Sequence, residues 1–383
     1  MTTLVPGWPS ARMGSEVAMS EYGLRPGSAE IQSAGPITFG PAGILFLADN
    51  DSARVLAVDV ADPGPAAGAE PFDLADVDAR IGSYLGCEPG DVDIRDMAVH
   101  PVSRSVYLSV QRGEGDAGQA VLVRISVPDG TVSDVPLGDV PVAAVAISDA
   151  PAEDDERQDV TLGKGEEFTF SGKTIRLLRR PIRTSTVTDM VYVGGDTGTL
   201  LVAGLSNEEF SSRLRRIPFP FGADVSGTSL EIFHVSHGKW ETAAPIRTFV
   251  PYEGGASILA SYTCTPVVHF PLAEMTPGTK VVGRTVADLG AMNQPLDMVS
   301  FTDEGEEYLL VSNTSHGLIK IAGRDIDGQE PLTTPQEPVG VPRETKDLQG
   351  ITKLANLNGS FVLALQADAD GRRHLRSLKT ASL

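Results

Sequence analysis

Three copies of one short element constrain this chain more than any other feature: Arg95-Asp96-Met97-Ala98-Val99, Thr188-Asp189-Met190-Val191-Tyr192 and Leu296-Asp297-Met298-Val299-Ser300. Each is followed, after a turn, by a second apolar run at residues 106–110, 200–203 and 309–312. Two degenerate copies keep the outline without the aspartate, at 35–39 before 44–47 and at 349–351 before 361–363. A short strand paired with a second short strand cannot bury its apolar faces alone, so recurring copies must stack on one another. The pattern predicts an all-β chain folded as a β-propeller. Counting inner strands gives six blades, and seven if residues 140–180 form a blade of their own.

The expected organisation is an N-terminal arm, 1–33, followed by one propeller domain, 34–383, with insertions near 149–180 and 207–228. The arm is expected to close the ring by pairing with the last blade, at 361–365 and 374–378, because an open ring leaves exposed sheet edges. The second insertion carries Arg213, Arg215 and Arg216 beside Phe219 and Phe221, a set suited to an anionic or aromatic ligand over the channel mouth or to a solvated loop.

Composition narrows the function. A net charge of −20 disfavours nucleic acid and anionic membrane surfaces, both of which select clustered Lys and Arg. The two cysteines, Cys87 and Cys264, make no disulfide framework. No signal-peptide core and no run of eighteen apolar residues is visible, so the expected compartment is the cytoplasm. The expected partner is a small molecule at the channel mouth, with a protein partner as the alternative use of such a platform.

Strand starts and second-strand exits open on one face of a propeller. That geometry would gather Arg95, Asp96, Asp189 and Asp297 with Asn50, Asn207, Asn313 and Cys264. Converging carboxylate and amide oxygens suit a hard cation such as calcium, held by Asp96, Asp189, Asp297, Asn50, Asn207 and Asn313. The same aspartates can instead cap neighbouring backbone N–H groups. His316 is placed to act as general base, Arg95 to offset carboxylate charge, and Cys264 to serve as nucleophile or soft ligand. Copper, which accepts imidazole and thiolate, is the alternative metal. His234 and His237 lie three residues apart; on one strand they would face opposite ways, which suits turn or packing roles.

The segment Gly43-Ile44-Leu45-Phe46-Leu47-Ala48-Asp49-Asn50, followed by Arg54-Val55-Leu56-Ala57-Val58-Asp59, resembles the blades of NHL-type propellers. It is similar also to the gluconolactonase, paraoxonase and strictosidine-synthase-like group. That resemblance implies calcium at the channel mouth and lactone or ester hydrolysis. Asn50, Asn207, Asn313 and Asp297 are the nearest positional matches for its ligands.

Overall fold

Every copy of the Asp-Met element forms the innermost strand of a sheet. In the computed structural model these strands are Val92–Val99, Asp189–Gly194 and Pro295–Asp303, paired with Val106–Arg112, Gly198–Leu205 and Glu306–Asn313. The register repeats as well, with Asp96 opposite Ser109, Asp189 opposite Ala203 and Asp297 opposite Ser312. Three more inner strands, Ile37–Phe39, Thr248–Tyr252 and Ile351–Asn358, start sheets of the same plan. The structure describes residues 21–383 apart from 63, 65–69, 114–117, 128, 171–172, 223–224, 265, 291 and 336–338.

The molecule is a β-propeller. Numbered by inner strand along the chain, blades 1 to 6 begin at Ile37, Val92, Asp189, Thr248, Pro295 and Ile351. Second strands are buried on both faces, which explains why Ile44–Asp49 and Ser257–Ser261 are covered at every residue. Six apolar clusters fill the seams. Leu45 and Leu47 meet Tyr107 between blades 1 and 2, and Phe46 meets Phe219 between blades 1 and 3. Further clusters join blades 3 and 4, 4 and 5, 5 and 6, and finally 6 and 2. Spatial order is therefore 1-3-4-5-6-2, and blade 1 sits between blades 2 and 3. The chain reaches blade 3 by turning back after blade 2 and laying Val140–Ala146 against Arg54–Asp59 as a fourth strand of blade 1.

Several expectations are corrected here. The arm's described strand, Arg25–Gly27, pairs with 140–142 on the outer edge of blade 1, not with the last blade. Among the described residues blade 6 has three strands, and its edge is met by a bridge between Leu74 and Leu375 beside the helix Val77–Leu85. That cover removes the need for a strand from the arm. Residues 158–181 form a separate two-stranded hairpin, Gln158–Phe170 with Lys173–Pro181, so this segment adds no seventh blade among the described residues. The stretch 207–228 is mostly no insertion. It supplies Ser212–Phe219 and the start of Ser226–His234, the third and fourth strands of blade 3.

The misleading signal was charge. Arg215 is fully buried, with Nε on Asp149 Oδ1 at 2.7 Å and its other nitrogens donating to the carbonyls of Thr186 and Leu205 at 2.9 and 2.8 Å. A buried guanidinium paired this completely is compatible with a central strand. No helix among the described residues is long and apolar enough to cross a membrane.

The three repeated aspartates fasten the inner strands together. Asp96 Oδ2 accepts the Ile37 N–H, Asp189 Oδ2 that of Phe249, and Asp297 Oδ2 that of Leu354, each at 2.8 Å. In spatial order, aspartate blades (2, 3 and 5) alternate with donor blades (1, 4 and 6), so three seams are clamped in one rotational sense. The second oxygens are also engaged. Asp189 Oδ1 accepts from Met190 at 2.7 Å, Asp297 Oδ1 from Met298 at 2.8 Å, and Asp96 Oδ1 lies 3.3 Å from Lys353 Nζ. Every carboxylate oxygen of these three aspartates thus already has a donor. Burial, then the neighbouring Asp96 and Asp297, pushes Asp189 well above the usual carboxylate range. Burial raises Asp297 to about 6 against the pull of Lys353.

Two outcomes follow from this packing. Arg215→Met leaves Asp149 short of its buried partner and should cost about 3 kcal/mol in urea unfolding; a loss within experimental error would show that the pair does not hold the strand. The folded state binds the Asp297 proton more tightly than the unfolded chain, whose value is near 3.8, so this group's contribution falls as pH rises from about 4 to 6. Allowing for water in the channel, Asp297→Asn should gain roughly 1–3 kcal/mol relative to the parent between pH 4 and 7. A difference between the two proteins that stays constant with pH would contradict the shift.

Candidate functional site

With the aspartates acting as clamps, the other expected residues disperse. Asn50 ties blade 1 to the segment entering blade 3: its Nδ2 donates to the carbonyls of Thr184 and Val187 at 2.9 and 3.0 Å, and its Oδ1 accepts the Val187 N–H at 2.8 Å. Asn313 caps its own loop by accepting the N–H groups of Ser315 and His316 at 3.2 and 2.7 Å. His316 is exposed on that loop, Asn207 is exposed, and Arg95 pairs with Asp93 at 3.0 Å. The axial cavity of about 450 Å³ holds the aspartates at one end but brings none of these side chains to them. Cys264 alone of the expected residues joins a chemically coherent group, and that group lies off the axis.

Its partners are the two histidines that a strand would have separated. Ser226–His234 ends at the first of them, and Val235–His237 turns as a short 3-10 helix closed by Gly238 at φ 63°. Left-handed backbone of this kind is easiest for glycine. The turn swings His237 back until its ring lies 3.9 Å from that of His234, at an interplanar angle of 29°. Lys239–Glu241 then runs antiparallel to the strand just left. Glu241 accordingly meets both imidazoles, Oε2 at 2.7 Å from His234 Nδ1 and Oε1 at 3.0 Å from His237 Nδ1.

Both Nδ1 atoms being engaged, the Nε2 atoms face away from the carboxylate. His237 Nε2 lies 3.8 Å from Cys264 Sγ, and the buried His234 ring interacts with the same sulfur. One ligand atom from each of His234, His237 and Cys264 lies within 4.8 Å of the others. Cys264 follows the second strand of blade 4 at φ 63°, and Met292 opposite it stands at φ 58°. Two non-glycine residues held in a costly conformation beside one cluster mark a place where the fold fixes geometry at the expense of backbone ease. Burial opposes ionisation of the thiol, but His234, His237 and the Met292 backbone N–H together bring it down to about 6. Cys264 and Glu241 raise His237 to about 10, and Glu241 sits far below the usual carboxylate range because the histidines outweigh its burial.

A cavity of about 610 Å³ opens beside the cluster, with Val160, Leu162, Leu177, Ile182, Leu205 and Met292 in its walls. The hairpin base is anchored at its edge. Arg247 Nη2 and Nη1 meet the two oxygens of Asp159 at 2.6 and 2.7 Å, and Ser185 Oγ donates to Asp159 at 2.6 Å. Two imidazoles and a thiolate form a donor set for zinc or copper, not for calcium, which takes oxygen ligands. A carboxylate behind each imidazole fixes its tautomer and aim, as around many metal ions. The sequence signal that could have found this site is His-x-x-His-Gly with a glutamate three residues later, since the glycine closes the turn that defeats strand alternation.

No family model and no curated protein matches the chain. Comparison with solved structures finds β-propeller proteins at low similarity. The PQQ-bound aldose sugar dehydrogenase of Streptomyces coelicolor is 13% identical over 93% of this chain and 96% of that one, with a TM-score of 0.33. The β-propeller domain of Myceliophteria thermophila Cps50 (Swd1) is 13% identical over 90% and 83%, with a TM-score of 0.35. A streptogramin B lyase is 10% identical over 93% and 97%, with a TM-score of 0.27. The likeness is to the propeller fold, and at these values it carries no residue of the site from one protein to another.

Proposed function

We propose that this propeller is a metal-dependent enzyme acting on a small, largely apolar molecule, with the metal on His234, His237 and Cys264 and hydrolysis of an ester or lactone as the reaction class. The observation that carries the reading is the convergence of one ligand atom each from His234, His237 and Cys264 within 4.8 Å, while one carboxylate holds both rings from behind. Three protein ligands would leave a zinc-class ion one position for water or substrate. A zinc-class ion there supplies Lewis acidity and brings bound water towards neutral ionisation. Glu241 keeps the imidazoles aligned and offsets charge, and the apolar walls exclude bulk water from the reacting group.

A redox reading with copper has its own support. Met292 lines the same cavity, and its backbone N–H reaches the Cys264 sulfur, an arrangement that suits a thiolate–copper bond.

Metal analysis of the purified protein, after dialysis against micromolar zinc or copper, should find one equivalent per chain. His237→Ala and Cys264→Ser should each lower affinity by at least tenfold, while Asp297→Asn leaves it unchanged. Turnover of short esters and lactones by the zinc form, lost in the same two variants, supports hydrolysis; a copper form with a strong visible thiolate band and no esterase activity supports redox chemistry. Protein that retains neither metal, or retains it equally in Cys264→Ser, refutes the site.

A further inference from the structure

We propose that the hairpin Gln158–Pro181 is the selectivity wall of this site, and that Leu162 and Leu177 choose substrates by an uncharged apolar group. The inference rests on the metal reading above and adds to it the chemistry of the ligand's other end. Leu162 and Leu177 are directly paired across the hairpin and line the cavity that also holds His234, His237 and Cys264. Both leucines are only half-buried, so an apolar group between them and Leu205 would remove further surface from water. The register breaks just beyond them, where Leu177 is opposed by Leu162 and again by Glu166. A bulge of this kind bends a strand and re-aims its side chains, and bulges recur beside active sites.

Placement of the wall does not depend on the cavity being filled. The Leu162 N–H donates to Gln294 Oε1 at 2.7 Å, and Arg247 Nη2 donates to the Val160 carbonyl at 3.1 Å. With the Asp159–Arg247 pair, these bonds fix the hairpin base to blades 4 and 5. The charge pattern excludes an anionic partner for the far end of the cavity. Arg247 spends its guanidinium on Asp159, Val160 and Thr263 Oγ1. Arg157, also in the wall, is paired with Asp155 at 2.7 Å and donates to the Glu208 carbonyl at 3.2 Å. Neither has a guanidinium to offer without breaking an existing pair. What remains in the lining besides the metal-binding cluster is mainly apolar, with Leu162, Leu177, Ile182 and Leu205, and its other polar members, Gln158, Ser211 and Thr263, are uncharged.

N-alkylimidazoles probe both ends at once, since the ring nitrogen seeks the metal and the tail seeks the wall. Calorimetric titration of the zinc-loaded protein with the methyl, butyl and hexyl compounds should show affinity rising about fourfold per added methylene, the value of burying one such group. Leu162→Ser and Leu177→Ser should each cut binding of the hexyl compound by at least tenfold and leave the methyl compound within twofold, with zinc content and melting temperature unchanged. An affinity that does not change with tail length, while the methyl compound still binds, overturns the wall and leaves the metal site standing. A Leu162→Ser variant that loses both compounds alike also overturns it, because the leucine would then be supporting the metal end. Failure of every imidazole to bind protein that has taken up one zinc overturns the wall, whereas failure to take up zinc at all overturns the metal reading instead.

Discussion

A carboxylate that accepts the backbone N–H of the next blade's inner strand is the contact on which this architecture turns. Inner strands present unpaired edges to the channel, and a buried N–H without an acceptor is costly. Asp96, Asp189 and Asp297 answer that need at alternate seams. Three carboxylates around one axis repel, and Lys353 with backbone donors and raised proton affinity keeps them together. The axis is therefore occupied by structural work, and the candidate site lies away from it. There a strand ending in His234, a tight turn and a returning strand compress two imidazoles and a glutamate into one corner of the seam between blades 3 and 4.

The displacement explains which parts of the molecule were legible beforehand. The strand pairs were legible because burial on both faces writes a continuous apolar run, as at Ile44–Asp49, and because Asp-Met recurs at one register position. Spatial order was not. Nothing local in residues 140–146 says that the chain returns to blade 1 before entering blade 3, since that is decided by which edge the strand completes. The arm illustrates the same limit: an uncovered edge calls for some cover, but the sequence does not say which segment supplies it.

Of the three residues of the candidate site, the sequence singled out Cys264 alone, and it did so for the channel mouth, whereas its cluster lies off the axis. His234 and His237 were hidden because alternation along a strand assigns them to opposite faces, and only the 3-10 turn closed by Gly238 brings them to one. Charge misled at Arg215, which suggested a solvated loop and is a buried strand residue, while of the two roles open to the aspartates the hydrogen bonds show the capping of backbone N–H groups.

X-ray absorption at the metal edge of the zinc- or copper-loaded protein tests the central claim most directly. For zinc, the expected shell is two imidazole nitrogens at about 2.0–2.1 Å and one sulfur at about 2.3 Å. The sulfur contribution should vanish in Cys264→Ser and one imidazole in His237→Ala. A shell of oxygen atoms alone, or one that either substitution leaves intact, would contradict a metal centre at His234, His237 and Cys264.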